Sequence, residues 1–209
     1  MHNQESEVTA YGRTSSCRYV IARVTAMQKV EVMDYQKSWI DIYNAEADTL
    51  KNSIGFLSPD IHHIGSTSVP GLSAKPIIDI LIEVDDVGCL DDYIKILEAI
   101  GYHGRGENGI AGRRYFEKGG DHRTHQIHAF NRGSYGVMRH LAFRDYLGSH
   151  SQVAHEYALL KKQVAETCNN DIDRYCDGKA RFIKEHEELA VDWYSHNKRM
   201  QMDTTEPRC

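Results

Sequence analysis

The sequence predicts an α+β fold, one mixed sheet with helices packed on it and a helical C-terminal part. Three observations lead there. The chain has 209 residues, enough for a single domain with a real core. Two runs rich in β-branched residues, "IHHIGS" and "IIDILIEV", lie close together, and two further short runs, "RRYFEKG" and "THQIHAF", follow. Beyond "THQIHAF" nearly every segment repeats apolar residues at three- and four-residue steps.

Residues 1–29 show weak patterning and read as an extension or tail, with "CRYVIARV" a candidate short strand. In "DYQKSWIDIYNAEADTLKNSIG", Trp39, Ile42, Tyr43, Ala47 and Leu50 recur at helical spacing; Asp34 or Ser38 is placed to cap the start and Gly55 to end it. "IHHIGS" is a strand running into the loop "STSVPGLSAK", and Pro76 precedes the strand "IIDILIEV". "CLDDYIKILEAIG" is an amphipathic helix closed by Gly101. "RRYFEKG" and "THQIHAF" are strands joined by the hairpin-like turn "GDHR". "MRHLAFRDYLGSH", "SQVAHEYALLKKQVAETC" and "DIDRYCDGKARFIKEHEELAVDWYSHNKRM" are helices. Residues 30–198 then form one domain, and residues 199–209 a loose tail.

A formal net charge of −5 argues against bulk nucleic-acid binding and leaves room for a local basic pocket. The five cysteines are odd in number and scattered, which fits reduced thiols rather than a disulfide framework. No apolar run reaches eighteen residues and the N-terminus lacks the order of a signal peptide, so the expected location is the cytoplasm, away from membranes.

The densest stretch is "HHIGSTSVPGLSAKPIIDILIEV". Asp79 sits in its otherwise apolar strand, where a charge costs several kcal/mol unless it is paired, protonated or liganded. A salt bridge to Lys75, Arg113 or Arg114 is the bland explanation. Strand parity places Asp79 and Glu83 on one face, and Gln126 and His128 on one face of their own strand, opposite His125. Glu83 lies too far along to share an ion with Asp79 and reads as a solvated strand-end charge. Lys161 and Lys179 have charged neighbours and read as solvated helix faces. Arg144, in "FRDYL", is placed either to bind an anion or to lock a helix to the sheet.

Several stretches together resemble the GrpB family, over roughly Val30 to Trp193: "YQKSWIDIYNAEADTL", "HHIGSTSVPGLSAKPIIDI", "GRRYFEKG", "HQIHAF", "FRDYL", "YALLKKQVAE" and "GKARFIKEHEELAVDW". The resemblance implies a nucleotidyltransferase-like core. Enzymes of that kind place Gly-Ser before two carboxylates on one strand and a third on its neighbour, which hold two Mg²⁺ ions about 3.5–4 Å apart. Carried over, the glycine and polar loop are Gly65, Ser66, Thr67 and Ser68, and the first carboxylate is Asp79. The second position is Leu81 and the third is His128. An imidazole is a poor Mg²⁺ ligand but a good transition-metal ligand, general base or phosphate donor. The implied site therefore has Asp79 and His128 as catalytic or metal-holding residues. One divalent cation (Mg²⁺ or Mn²⁺) is expected at most. Lys75, Arg114, Gln126 and Arg144 are the further ligand contacts. The expected partner is a phosphorylated small molecule or nucleotide, either for transfer of a nucleotidyl or phosphoryl group or for binding without chemistry.

Overall fold

The computed structural model describes residues 30–205, with side chains through residue 198; the candidate strand "CRYVIARV" lies outside the described residues. Helix α1 (Ser38–Ile54) buries Trp39, Ala47, Leu50 and Ile54. Gly55 caps its C-terminus as expected, but neither expected N-terminal cap forms. Lys37 occupies the cap position without a side-chain bond, and Asp34 instead accepts from Ser73 Oγ at 3.1 Å and Lys162 Nζ at 2.7 Å.

Among the described residues five strands follow: β1 (Asp60–Ile64), β2 (Ile78–Val84), β3 (Tyr102–Gly104), β4 (Arg114–Lys118) and β5 (His125–Asn131). They form one sheet in the order β1-β2-β5-β4-β3. Only the central β2–β5 pair is parallel. The predicted "CLDDYIKILEAIG" helix is found as a 3₁₀ stretch, Val87–Tyr93, followed by a short helix α2 (Ile94–Ala99). Val87, Leu90 and Tyr93 recur every third residue, the period at which 3₁₀ side chains align. Helices α3 (Tyr135–Ser149), α4 (Ser151–Thr167) and α5 (Ile172–Thr205) complete the chain. Helix α5 runs on through much of the segment expected to be a loose tail. No helix among the described residues is long and apolar enough to cross a membrane.

Alternation along the strands divides the sheet into two faces. Ile78, Ile80, Ile82, Ile127, Ala129 and Phe116 pack with Trp39, Leu50 and Ile54 of α1 and Leu97 of α2. On the other face Leu81 and Phe130 meet Val137 and Leu141 of α3. Each such side chain contributes about 1.5–3 kcal/mol when buried. The register pairs Asp79 with Gln126 and Leu81 with His128, so these four residues share the second face. Asp79 is the one residue of β2 that is not fully buried.

A cationic cleft at the start of β2

The cleft lies where β2 begins, under α4 and the start of α5, and has a volume of about 930 Å³. Its first wall is the loop after β1. Gly65 has φ +70°, and a Cβ built there would stand 2.3 Å from Asp79 Oδ2. Only glycine lets this backbone lie against the carboxylate. The loop then closes on itself: Ser68 Oγ donates to Gly65 O at 2.6 Å, and Thr67 Oγ1 to Ile77 O at 3.3 Å. His63 Nε2 lies 3.0 Å from Thr67 Oγ1, and its ring stacks on Tyr43. Burial pushes His63 down to about 4, which keeps this support neutral.

Asp79 and His128 meet inside the cleft, with 3.8 Å between Oδ1 and Nε2. On its other side His128 is met by Arg113, whose Nη1 lies 3.3 Å from His128 Nδ1. Arg113 also donates to Glu107 O at 3.1 Å and Asn108 O at 2.6 Å. Guanidinium nitrogens only donate, so Nδ1 accepts and the proton of a neutral His128 resides on Nε2, directed toward Asp79. His140 packs 5.0 Å from the His128 ring and is held well below the usual histidine range by burial.

The opposite wall is lysine. Lys75 comes from the approach to β2, Lys161 from α4 and Lys179 from α5. Lys161 is 1% exposed, and its Nζ has no hydrogen-bond partner among the described residues. The Tyr157 ring lies 4.4 Å from that ammonium; the Tyr175 ring lies 4.4 Å from Lys179 Nζ and 5.5 Å from Lys75 Nζ. Burial, then the Lys179 charge, push Lys161 down to about 7. Burial comes first for Lys75 and Lys179 too, and lowers both. Arg123 ion-pairs with Glu117, yet its buried Nε has no hydrogen-bond partner among the described residues. Of the acids at this end, Asp121 and Asp173 are exposed, and Asp171 accepts from the backbone N–H groups of Asp173 and Arg174.

The cleft thus unites Ser66, Thr67, Lys75, Asp79, Gln126 and His128 among the residues singled out in the sequence. Others fall elsewhere. Arg114 points to the opposite sheet face, where Nε and Nη2 bind Asp91 at 2.7 and 2.8 Å; its neighbour Arg113 is the one in the cleft. Arg144 binds Asp145 at 2.7 Å and His63 O at 3.1 Å, locking α3 to β1. Ser68 acts only within its loop. Glu83 is not a solvated charge: it is buried, 2.9 Å from His62 Nε2 and 3.2 Å from Gly133 N. Lys161 and Lys179 are not solvated faces either. The missed signal was a repeated spacing, Tyr157 to Lys161 and Tyr175 to Lys179. At four residues apart on a helix, each lysine lies over its tyrosine ring.

The donor set does not fit the implied metal ions. Leu81, fully buried, occupies the place of the second carboxylate. Among the described residues no three His, Cys, Asp or Glu side chains gather as a metal set. Ligation by His128 Nε2 would need its lone pair, while Arg113 favours the proton there. Lysines facing Asp79 add repulsion for any cation.

Fold and cleft together define a mixed-sheet α+β fold with a cationic cleft at the first residues of its central parallel strand. The family model described as GrpB protein matches residues 29–189, and the chain belongs to the GrpB family. It is 47% identical over 166 residues to the UPF0157 protein YqkA of Bacillus subtilis, covering 79% of this chain and 48% of that one. The chain therefore spans about half the length of that relative. The crystal structure of GrpB from Enterococcus faecalis superposes with a TM-score of 0.75 at 41% identity, over 78% of this chain and 99% of that one. A weaker likeness, at 16% identity and a TM-score of 0.45, covers 62% of this chain and 42% of Cid1 solved with its short product ApU.

Proposed function

We propose that the cleft binds a phosphorylated, nucleotide-like small molecule. The observation that carries this reading is the convergence of five cationic side chains, Lys75, Arg113, Arg123, Lys161 and Lys179, on one cavity. Two of their buried nitrogens lack any hydrogen-bond partner among the described residues. Buried polar groups are nearly always satisfied, so unsatisfied donors lining a cavity call for an acceptor from outside the chain. Size agrees, because the cleft lies at the upper end of the range for small-molecule sites.

A second reading adds turnover, and the Asp79–His128 contact favours it. Asp79 would take the proton of an attacking hydroxyl as its oxygen bonds to phosphorus and the bond to the leaving phosphate breaks. His128 would donate from Nε2 to a phosphoryl oxygen.

Thermal shift with nucleoside mono-, di- and triphosphates beside the matching nucleosides tests the binding reading. A phosphorylated ligand at a hundredfold its Kd stabilises by about 2.7 kcal/mol, an easily visible rise in Tm. Equal shifts with the unphosphorylated nucleosides, or none with any phosphorylated compound, would overturn it. Turnover is followed by ³¹P NMR on the same mixtures, and unchanged spectra with a bound ligand would leave binding alone.

A further inference from the structure

We infer that Lys75, Lys161 and Lys179 form a subsite that grips an oligophosphate group directly, their ammonium groups supplying the counter-charge that divalent cations supply in nucleotidyltransferases. The inference rests on the anion-binding reading above and narrows its ligand to one with two or more linked phosphates, bound without metal.

The three lysines arrive from three separate elements and meet over two tyrosine rings. The rings lie against the ammonium groups themselves and hold them together at the wall of the cavity. Lys161 is the telling residue. It is 1% exposed, its Nζ is unpartnered, and a second ammonium, Lys179, stands close enough to repel it. An arrangement that opposes folding of the empty protein gains its partner when an anion enters. Three ammonium groups exceed the charge of one orthophosphate and suit a linked chain, and Arg123 Nε, without a hydrogen-bond partner among the described residues, adds a donor rather than a charge because Arg123 is ion-paired with Glu117. Lysine suits such a chain, since each ammonium is a point charge with three donors and no fixed fork. Beside Asp79 the second carboxylate position is Leu81, and His128 offers a proton where a metal would need a lone pair.

Calorimetric titration of the full chain with sodium tripolyphosphate and with orthophosphate, in EDTA and in excess Mg²⁺, tests this. Tripolyphosphate should bind in EDTA, at least roughly tenfold tighter than orthophosphate, and Mg²⁺ should not tighten it. Lys161→Met should lose roughly 10- to 100-fold, and Lys179→Gln should lose in the same direction, while Lys162→Met, whose ammonium pairs with Asp34 and does not line the cleft, stays as wild type. Denaturant melts of each variant confirm folding. Asp79→Asn is decisive: removing the carboxylate that acts on all three lysines should leave tripolyphosphate binding as tight or tighter. Binding seen only with Mg²⁺ and lost in Asp79→Asn would overturn metal-free capture and leave the anion-binding reading standing. Orthophosphate binding as well as tripolyphosphate would overturn the oligophosphate subsite. No binding of either probe, nor of any nucleotide, would remove both.

Discussion

Gly65 and Asp79 show how tightly the cleft is built at the residue scale. Gly65→Ala meets two costs, the positive φ and a contact of 2.3 Å with the Asp79 carboxylate. Gly71→Ala meets only the first, since its φ is +81° with nothing near the added carbon. Urea melts should show Gly71→Ala losing about 1 kcal/mol and Gly65→Ala roughly 1–3 kcal/mol beyond that. Equal losses would mean the loop does not press on Asp79.

Lys161 gives a second residue-scale prediction, with opposite signs for stability and binding. Its pKa falls from 10.5 to about 7 on folding. Below pH 7 it is charged in both states and its full burial cost is present. Between about pH 7 and 10.5 the unfolded chain binds the extra proton, so this group's contribution to stability improves as pH rises. Facing it are Tyr157 on α4, Lys179 on α5 and Asp79 on β2. Lys161→Met should therefore be more stable than wild type at pH 6, by on the order of 1–4 kcal/mol, and its advantage should shrink by pH 9. Anion affinity of wild type should weaken across the same rise, as the ammonium is lost. A variant less stable at pH 6 would show that Lys161 is satisfied in the empty protein.

At the scale of elements, α4 and α5 must stay close for their lysines to meet. Gly178 sets that spacing, because a Cβ there would lie 2.6 Å from Val164 Cγ1. Alanine ordinarily gains up to about 1 kcal/mol over glycine inside a helix. Gly148→Ala, with open space around it in α3, should show part of that gain. Gly178→Ala should instead be neutral or destabilised, because overpacking costs roughly 1–3 kcal/mol, and tripolyphosphate binding should weaken as α5 shifts. Stabilisation with unchanged binding would show that Gly178 does not set the spacing. The strands were legible because their alternation is local: "IIDILIEV" and "THQIHAF" fix which face Asp79, Gln126 and His128 share. What was not legible depended on partners distant in sequence. β3 has three residues and exists through pairing with β4. The fate of Arg113 and Arg114 turned on a one-residue phase that "GRRYFEKG" leaves open. The burial of Lys161 depends on α5, and that of Glu83 on His62 and Gly133.

At the scale of the whole molecule, a net charge of −5 coexists with a cleft that gathers five cationic side chains. Net charge limited the class of partner and said nothing of the site. The thiols make the arrangement measurable in one experiment. Cys176 is exposed and lines the cleft, Cys89 is exposed beyond the far end of β2, and Cys168 is buried. Cys89 is also the poorer nucleophile, its pKa raised by desolvation and by Asp86 and Asp92. With iodoacetamide and peptide-resolved mass spectrometry, saturating tripolyphosphate in EDTA should slow labelling of Cys176 severalfold and leave Cys89 unchanged. Cys168 should react only as the fold opens, so its rate separates local protection from global stabilisation. Slowing at Cys168 without slowing at Cys176 would place the bound anion away from the α4–α5 lysines, while slowing confined to Cys176 would put it among them.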